Sequence, residues 1–252
     1  MFKYGFATYF PNMKKNRGLY ILLIILLILV ADQALKFWVK THMALGDEFS
    51  VIGNWFLFHF VENPGMAFGV EFAGEYGKLF LSIFRIFAVT VIGWYLFKLT
   101  KKKVTFGFLV SVSLIFTGAL GNIIDSIFYG MIFSHSYGQE ATFLPEGGGY
   151  GTFLYGKVVD MFYFPIIQGA YPDWFPFWGG QKLIFFRPVF NIADSAITTG
   201  IFSIILFHRK YFAAGFPEES ENENPAGNPS GKREEIVEKE QFIAEIEEDA
   251  VT

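Results

Sequence analysis

The chain carries an apolar run from Leu19 to Val39 that is long enough to cross a membrane. At a rise of 1.5 Å per residue, about 20 apolar residues in an α-helix cover the hydrocarbon core of a bilayer. Basic residues precede the run, as in a secretory signal peptide, but it is longer than such a peptide's apolar region and no small-residue cleavage site follows. The sequence therefore predicts a retained transmembrane helix.

Three further apolar runs, at 79–99, 106–129 and 190–207, predict three more spanning helices. Charged residues make up 17% of the chain, whereas about 25% is typical of soluble domains, so the apolar surface needs lipid. We therefore expect a membrane all-α bundle of four transmembrane helices over 19–212. No internal repeat is evident, which argues against transporters built from inverted repeats.

Basic residues cluster before the first run, between the second and third runs, and after the fourth. With four spans these clusters fall on one side, which the positive-inside rule makes cytoplasmic. Residues 1–18 are then a cytoplasmic segment, and 40–78 and 130–188 face outward. We expect the first connection to form a small β-sheet, because 54–61 is rich in strand-forming residues. The second is expected to be a loop or lid, since prolines prevent 162–186 from spanning as a regular helix.

The last 40 residues, 213–252, hold 12 acidic and 3 basic residues and few aromatic ones. This composition predicts a disordered, solvated tail in the cytoplasm. The chain has no cysteine, which excludes thiolate nucleophiles and cysteine-based metal sites. Its four histidines lack metal-ligand spacing, and its basic residues lie at membrane edges, so we expect neither a metal cofactor nor nucleic-acid binding.

Four acidic residues are predicted to lie at one depth near the outer face: Asp32, Asp125, Asp160 and Asp194. Ionisable groups inside a membrane are costly and commonly mark function. Asp32 and Lys36 are four residues apart on a helix, so they can form a mainly structural pair. Asp194 has no basic residue within a turn or two, and Lys157 should point away from Asp160 in an extended segment.

Small and polar residues accompany these acids. Gly118, Gly121, Asn122 and Asp125 share one face of the third predicted helix, where glycine permits close packing and polar groups can bond across helices. Asn122 and Asp125 suit either helix association or a functional site. Asn63, which precedes Pro64 and Gly65, suits either a site or a turn.

Two unpaired carboxyl groups held close together in a low dielectric cannot both ionise. One keeps its proton and the other stays charged, so that together they can activate a water and protonate a carbonyl. Asp160 and Asp194 are the best candidates for such a pair. Peptide hydrolysis by this route uses neither metal nor thiol.

Five blocks of the chain resemble the lipoprotein signal peptidase (signal peptidase II) family, in the family's order: VADQALK, ENPGMAFG, GALGNIID, KVVDMFYF and FNIADSAI. The resemblance covers about 19–209. It implies four helices with an outer β-cradle, both termini in the cytoplasm and residence in the bacterial inner membrane. It also implies removal of signal peptides from diacylglyceryl-modified prolipoproteins, before the lipid-modified cysteine, by Asp160 and Asp194 without a cofactor.

The resemblance further implies sensitivity to globomycin, and we expect a monomer in contact with membrane lipid. It assigns substrate-binding or supporting roles to Asp32, Lys36, Asn63, Gly118, Asn122, Asp125, Asn191 and Ala193. The family usually has arginine where this chain has Ser126. Either that group is missing here, or another residue supplies it, with Lys157 and Arg187 as the candidates. Residues 131–156 look inserted, as an enlarged lid or an irregular surface loop.

Three other classes of function remain open. A transport protein could use the same carboxylates as an ion or proton site, although the apolar inner halves of the first and fourth spans offer no path. An enzyme acting on lipid phosphates through Mg²⁺ would need closely spaced aspartates, which are missing here. The third class is a membrane scaffold without catalytic activity.

Overall fold

A computed structural model of the protein describes residues 16–64, 74–165, 167–170, 172–177, 179–185, 188–209 and 211. The predicted N-terminal segment up to residue 15 and the predicted disordered tail lie outside these residues. Side chains of 74–76 and of several residues between 166 and 187 are likewise not described. The region that carries the candidate site is described almost completely.

Within the described residues, three helices are long and apolar enough to cross a membrane. They are α1 (Arg17–His42), α2 (Gly74–Thr100) and a continuous helix formed by α3 (Phe106–Ile124), a π-helical turn (Asp125–Tyr129) and α4 (Gly130–Ile132). The last helix, α5 (Ile192–Phe207), is apolar but has 16 residues. At 1.5 Å per residue it is about 24 Å long, shorter than a bilayer core. Three of the four predicted spans are therefore confirmed by length and composition, and the fourth stays a prediction.

The helix α3 lies against α1, α2 and α5. Glycine permits the closest of these approaches: a Cβ at Gly118 would meet the carbonyl oxygen of Ala193, and one at Gly200 would meet that of Ser111. Large apolar side chains point outward instead, with Leu27 72% and Phe87 65% exposed. A bundle with apolar side chains outside and polar ones inside is suited to a lipid environment.

The start of α1, the turn between α2 and α3 and the end of α5 meet at one end of the bundle. Arg17 Nη2 donates to the carbonyl oxygen of Val104 at 2.6 Å, and the amide of Thr105 donates to Tyr211 Oη at 2.9 Å. The described members of the three basic clusters are thus at the same end, as the four-span prediction requires.

A four-stranded antiparallel sheet lies at the opposite end, in the order β1–β2–β3–β6. Its strands are β1 (Glu48–Ile52), β2 (Phe56–Asn63), β3 (Val158–Tyr163) and β6 (Val189–Phe190). A separate hairpin is formed by β4 (Ile167–Ala170) and β5 (Lys182–Phe185). The predicted sheet at 54–61 is confirmed, but it also takes two strands from the second outer connection. The predicted outer loop over 162–186 contains regular strands, because its apolar stretches pair between the prolines.

The predicted insertion 131–156 begins with the last two residues of the helix 106–132, and its residues 133–156 form an irregular segment that packs on the end of that helix. The amides of Tyr150, Gly151 and Gly156 donate to the carbonyl oxygens of Phe133, Gly130 and Ser126 at 2.9, 2.8 and 2.9 Å. The buried side chains of Phe60, Phe133, Met161 and Val39 form an apolar core beneath the sheet. This core joins the sheet to the ends of the helices.

Candidate active site

The first turn of α5 presents Asp194 through a capping box. Asn191 is the N-cap residue: its side-chain oxygen accepts from the amide of Asp194 at 2.8 Å, and its own amide donates to Asp194 Oδ2 at 3.4 Å. The box satisfies two backbone donors at the helix end. The helix N-terminus also favours a negative charge at Asp194.

The side chain of Asn191 reaches from this helix to the strand β3. Its Nδ2 lies 2.7 Å from Asp160 Oδ1, 3.2 Å from the carbonyl oxygen of Val159 and 3.1 Å from Asn122 Oδ1. Asn191 is completely buried, so this network is shielded from water. One asparagine therefore contacts both Asp160 and Asp194.

Asp160 is 3% exposed, and its second oxygen accepts from Asn63 Nδ2 at 3.3 Å. The pairing of Val61 with Asp160 brings Asn63 to the same sheet face, because side chains two residues apart share a face. Burial, and then the nearby charge of Asp194, raise the pKa of Asp160 to about 7. Asp160 thus holds a proton up to near-neutral pH.

Asn122 extends the network into α3. Its Nδ2 donates to Asp194 Oδ1 at 2.8 Å, while its Oδ1 accepts from Lys36 Nζ at 2.9 Å. Asn122 therefore holds Asp194 from one side and is itself oriented by a lysine. Asp194 is only partly buried, so one carboxyl of the pair is accessible.

Lys36 is the centre of a buried ionic cluster beneath the acids. Its Nζ lies 2.9 Å from Asp32 Oδ2 and 2.8 Å from Asp125 Oδ2, with all three side chains at most 2% exposed. Asp32 Oδ1 accepts from the amide of Ala193 at 2.9 Å, and Asp125 Oδ2 accepts from that of Val159 at 3.3 Å. Through these bonds, Asp32 connects α1 to the backbone next to Asp194, and Asp125 connects the helix 106–132 to the backbone next to Asp160.

The structure thus brings all ten predicted site residues together at the sheet-bearing end of the bundle. A model of the family described as signal peptidase (SPase) II matches residues 24–209. The chain belongs to the signal peptidase II family.

Its relatives include the lipoprotein signal peptidase of Porphyromonas gingivalis strain ATCC 33277, which is 50% identical over 216 residues, 81% of this chain and 94% of that protein. The lipoprotein signal peptidase of Amoebophilus asiaticus is 41% identical over 190 residues, 74% of this chain and 76% of that protein. A solved structure of a bacterial membrane enzyme is 26% identical and covers 74% of this chain and 90% of its own, with a TM-score of 0.47.

The position at which signal peptidase II members usually carry arginine holds a buried serine here. Ser126 Oγ donates to the carbonyl oxygen of Asn122 at 3.0 Å, within its own helix. Lys157, one of the two predicted replacements, binds Glu62 and Tyr137 at 3.0 and 3.1 Å instead. Arg187, the other, lies outside the described residues.

Arg85 in α2 is a charged residue of the site that the motifs alone did not assign. It is partly buried, and its positive charge acts on both Asp194 and Asp160. Lys78 and Ser82 on the same helix face bind the carbonyl oxygens of Tyr155 and Leu154, so this face of α2 lies against the outer segment that precedes β3. An arginine within an apolar run is itself a functional signal.

Gln33 was also missed. Its Nε2 contacts Asp32 Oδ2 at 3.1 Å, the carbonyl oxygen of Gly121 at 3.2 Å and Asp125 Oδ1 at 2.9 Å. Tyr129 Oη in turn donates to Gln33 Oε1 at 3.3 Å. The only signal for Gln33 was its place beside Asp32, because a neutral amide stands out less than a charge in an apolar run.

Proposed function

We propose that the chain is a membrane aspartic endopeptidase that removes the signal peptide from diacylglyceryl-modified prolipoproteins, cleaving before the lipid-modified cysteine. The observation that carries the proposal is the bridge of Asn191 and Asn122 between Asp160 and Asp194. Two relatives that cover most of the chain are lipoprotein signal peptidases, which supports this substrate class. In this proposal Asp160 and Asp194 are catalytic, and the other eight predicted site residues support them or bind the substrate.

The two acids take different roles because their surroundings differ. Asp160 is buried, and its raised pKa of about 7 suits the protonated partner. Asp194 accepts a hydrogen bond from Asn122, lies at a helix N-terminus and is only partly buried, so a water can reach it. We assign Asp160 as general acid and Asp194 as general base.

In the first step Asp194 accepts a proton from a water molecule lying between the acids while that water attacks the scissile carbonyl carbon. Asp160 donates its proton to the carbonyl oxygen, giving a neutral gem-diol. In the second step Asp194 passes its proton to the peptide nitrogen as the C–N bond breaks. Asp160 takes back a proton from a diol hydroxyl, which yields a carboxylic acid and an amine and restores both groups.

A four-span topology accounts for delivery of the substrate. With α5 as the fourth span and the basic end of the bundle in the cytoplasm, the acids lie near the outer surface of the inner membrane. A diacylglyceryl group could then remain among lipids while the attached peptide reaches the site. The domain 19–212 would act as a monomer, flanked by cytoplasmic segments at 1–18 and 213–252, and globomycin would compete with the substrate.

Transport through the same carboxylates is not favoured. The relatives that match most of the chain are peptidases by name, and the carboxylates of the site lie at one end of the bundle rather than along it. A peptidase that works through two aspartates should also keep its activity in a chelator, unlike a Mg²⁺-dependent enzyme.

The test is cleavage of a diacylglyceryl prolipoprotein by membranes that carry Asp160→Asn or Asp194→Asn. Each change keeps the size of the side chain but removes the acid or base, so we expect at least a 1000-fold loss of rate, the upper part of what acid–base catalysis contributes. Asp47→Asn is the matched control, because Asp47 is exposed and, within the described residues, its side chain accepts a single hydrogen bond, from the amide of Ala44. Unchanged cleavage by either site variant, at wild-type protein levels, would refute the assignment.

A further inference from the structure

A cavity lies on the far side of the strand pair that carries Asp160. In β2 and β3, Val61 pairs with Asp160 and Glu62 pairs with Val159. Because side chains alternate between sheet faces, Glu62 and Lys157 face away from Asp160. The cavity has a volume of about 740 Å³ and is lined by Glu62, Lys157, His135, Tyr137, Tyr150 and Tyr155 among others.

Positive charge is in excess around this cavity. The two oxygens of Glu62 bind different ammonium groups: Oε2 accepts from Lys157 at 3.0 Å, and Oε1 binds the completely buried Lys40. A third lysine, Lys78, donates to the carbonyl oxygen of Tyr155, and its charge interacts with those of Lys157 and Glu62. Lys40 and Lys157 therefore share the carboxylate of Glu62, and Lys78 adds a third positive charge nearby.

Several side-chain donors at the cavity are not used within the described part of the chain. Tyr150 Oη accepts from the amide of Lys157 at 2.7 Å but donates to nothing within the described part of the chain. In the same part of the chain, the Tyr155 hydroxyl and the His135 ring make no hydrogen bond to other side chains. Burial raises the pKa of Tyr150, so its hydroxyl stays protonated. Since both Glu62 oxygens are occupied, the complementary ligand is an oxygen-rich anion.

The lining groups are held in place by packing as well as by charge. Lys40 Nζ lies 4.9 Å from the ring centre of Tyr150 and donates to Ser136 Oγ at 2.7 Å. Lys157 Nζ lies 5.1 Å from the ring centre of Tyr137 and 5.6 Å from that of Tyr150. Tyr150 thus lies between two ammonium groups, an arrangement that cation–π attraction stabilises. A ligand would meet donors that are already ordered.

The position of the cavity identifies the class of anion. Lys40 lies in the last turn of α1 and Lys78 lies near the start of α2, so the cavity is at the level where these spanning helices end. Phospholipid headgroups occupy this level, and basic pockets at helix ends attract anionic ones. We propose that the cavity binds a phosphate group, supplied by the headgroup of an anionic phospholipid or by free phosphate.

The test measures binding to the purified full chain in neutral detergent without any peptide substrate, so its result is independent of the proposed function. Native mass spectrometry compares retained phosphatidylglycerol with phosphatidylcholine, and ³¹P NMR follows titration with inorganic phosphate. We expect about tenfold weaker phosphate or phosphatidylglycerol binding in Lys157→Gln, the scale of one lost charge-assisted bond. Lys157→Arg should keep the affinity, and so should Lys103→Gln, which removes an exposed lysine at the opposite end.

Preferential retention of phosphatidylglycerol would identify the lipid as the source, and binding of inorganic phosphate without lipid preference would identify the free anion. Either result supports the proposal. If Lys157→Gln does not fold, Lys78→Gln serves as the second variant. It removes one positive charge near the cavity but keeps the bonds of Glu62 to Lys40 and Lys157. Equal retention of both lipids together with no phosphate binding would overturn the proposal, as would wild-type affinity in both lysine-to-glutamine variants.

Discussion

The side-chain amide of Asn191 lies 2.7 Å from Asp160 Oδ1, while the side-chain oxygen of the same residue accepts from the amide of Asp194 at 2.8 Å. The residue that caps α5 is therefore also the residue that bridges the two acids. Its two roles can be separated by experiment, because a helix cap and a catalytic spacer respond to different substitutions.

We expect Asn191→Ser to keep much of the helix cap and lose most of the activity. Serine is as good an N-cap residue as asparagine, but its short side chain has no amide to reach Asp160. The cleavage rate should fall about 100-fold, in line with the misplacement of a catalytic group by about 1 Å. Rates and melting temperatures measured on the same preparation check both expectations.

Thr105→Ala provides the matched control for Asn191→Ser. Thr105 caps α3 by accepting from the amide of Phe108 at 3.4 Å, at the opposite end of the bundle from the acids. Loss of this helix cap should lower the free energy of unfolding by about 1 kcal/mol and leave the cleavage rate per folded molecule unchanged. An equal loss of rate in both variants would mean that Asn191 acts only as a cap.

Activity should fall as the pH rises through about 7, where Asp160 loses the proton that it donates. The hydrogen bond from Asn63 lowers the pKa of Asp160, although burial and Asp194 raise it more strongly. Asn63→Ala removes this stabilisation of the charged form, so the alkaline limb of the pH–rate profile should move to higher pH. A limb that stays in place or moves to lower pH would show that another group controls it.

Asp160→Asn should make the folded protein more stable than the wild type at high pH. A raised pKa means that folded Asp160 keeps a proton between pH 3.8 and about 7 that the unfolded chain releases. The contribution of Asp160 to the free energy of unfolding is therefore fully present below pH 3.8. It is lost as the pH rises through 7, and the total loss is at most about 4 kcal/mol. The amide side chain of the Asp160→Asn variant does not ionise, so the variant does not lose this contribution. Its melting temperature relative to that of the wild type should therefore increase between pH 4 and 8.

Several parts of the site were predictable from local spacing. The four-residue spacing of Asp32 and Lys36 places them on one helix face, and they form a 2.9 Å ion pair. The alternation of side chains along a strand separates Lys157 from Asp160, and Lys157 indeed binds Glu62 on the other face. Both inferences need only the geometry of a single element.

Contacts between distant segments were not predictable in the same way. The strand β6 has two residues, Val189 and Phe190, and it exists because Phe190 pairs with Phe162 in β3. Such a short strand has no periodic pattern of its own. Phe190 was predicted to begin the fourth spanning helix, because a sequence pattern does not show which partner strand will supply hydrogen bonds to such a residue.

Lys36→Met should destabilise the fold strongly, because it leaves Asp32 and Asp125 buried without their ammonium partner. Breaking a buried ion pair by removing one partner costs about 3–5 kcal/mol. Thermal unfolding in detergent measures the effect. The double variant Lys36→Met with Asp125→Asn should recover part of the stability, since one uncompensated charge is removed; a double variant that is less stable than Lys36→Met would contradict this account.

Gly118→Ala tests whether the distance between α3 and α5 controls catalysis. A methyl group at Gly118 would overlap the carbonyl oxygen of Ala193 and come within 2.7 Å of Ile197 Cγ1. Because backbone cannot yield as a flexible side chain does, α5 must shift and carry Asp194 away from Asp160. We expect a loss of about 1–3 kcal/mol in stability from overpacking, together with a cleavage rate lower by about 100-fold.

Gly18→Ala is the matched control, since it adds the same methyl group to an exposed helical position where nothing lies within 4 Å of the new Cβ. Alanine is the better helix former, so stability should stay the same or rise by up to about 1 kcal/mol. Its rate should equal that of the wild type. If Gly118→Ala cleaved at the wild-type rate as well, α5 could move without displacing Asp194, and the spacing of the two helices would not govern the catalytic pair.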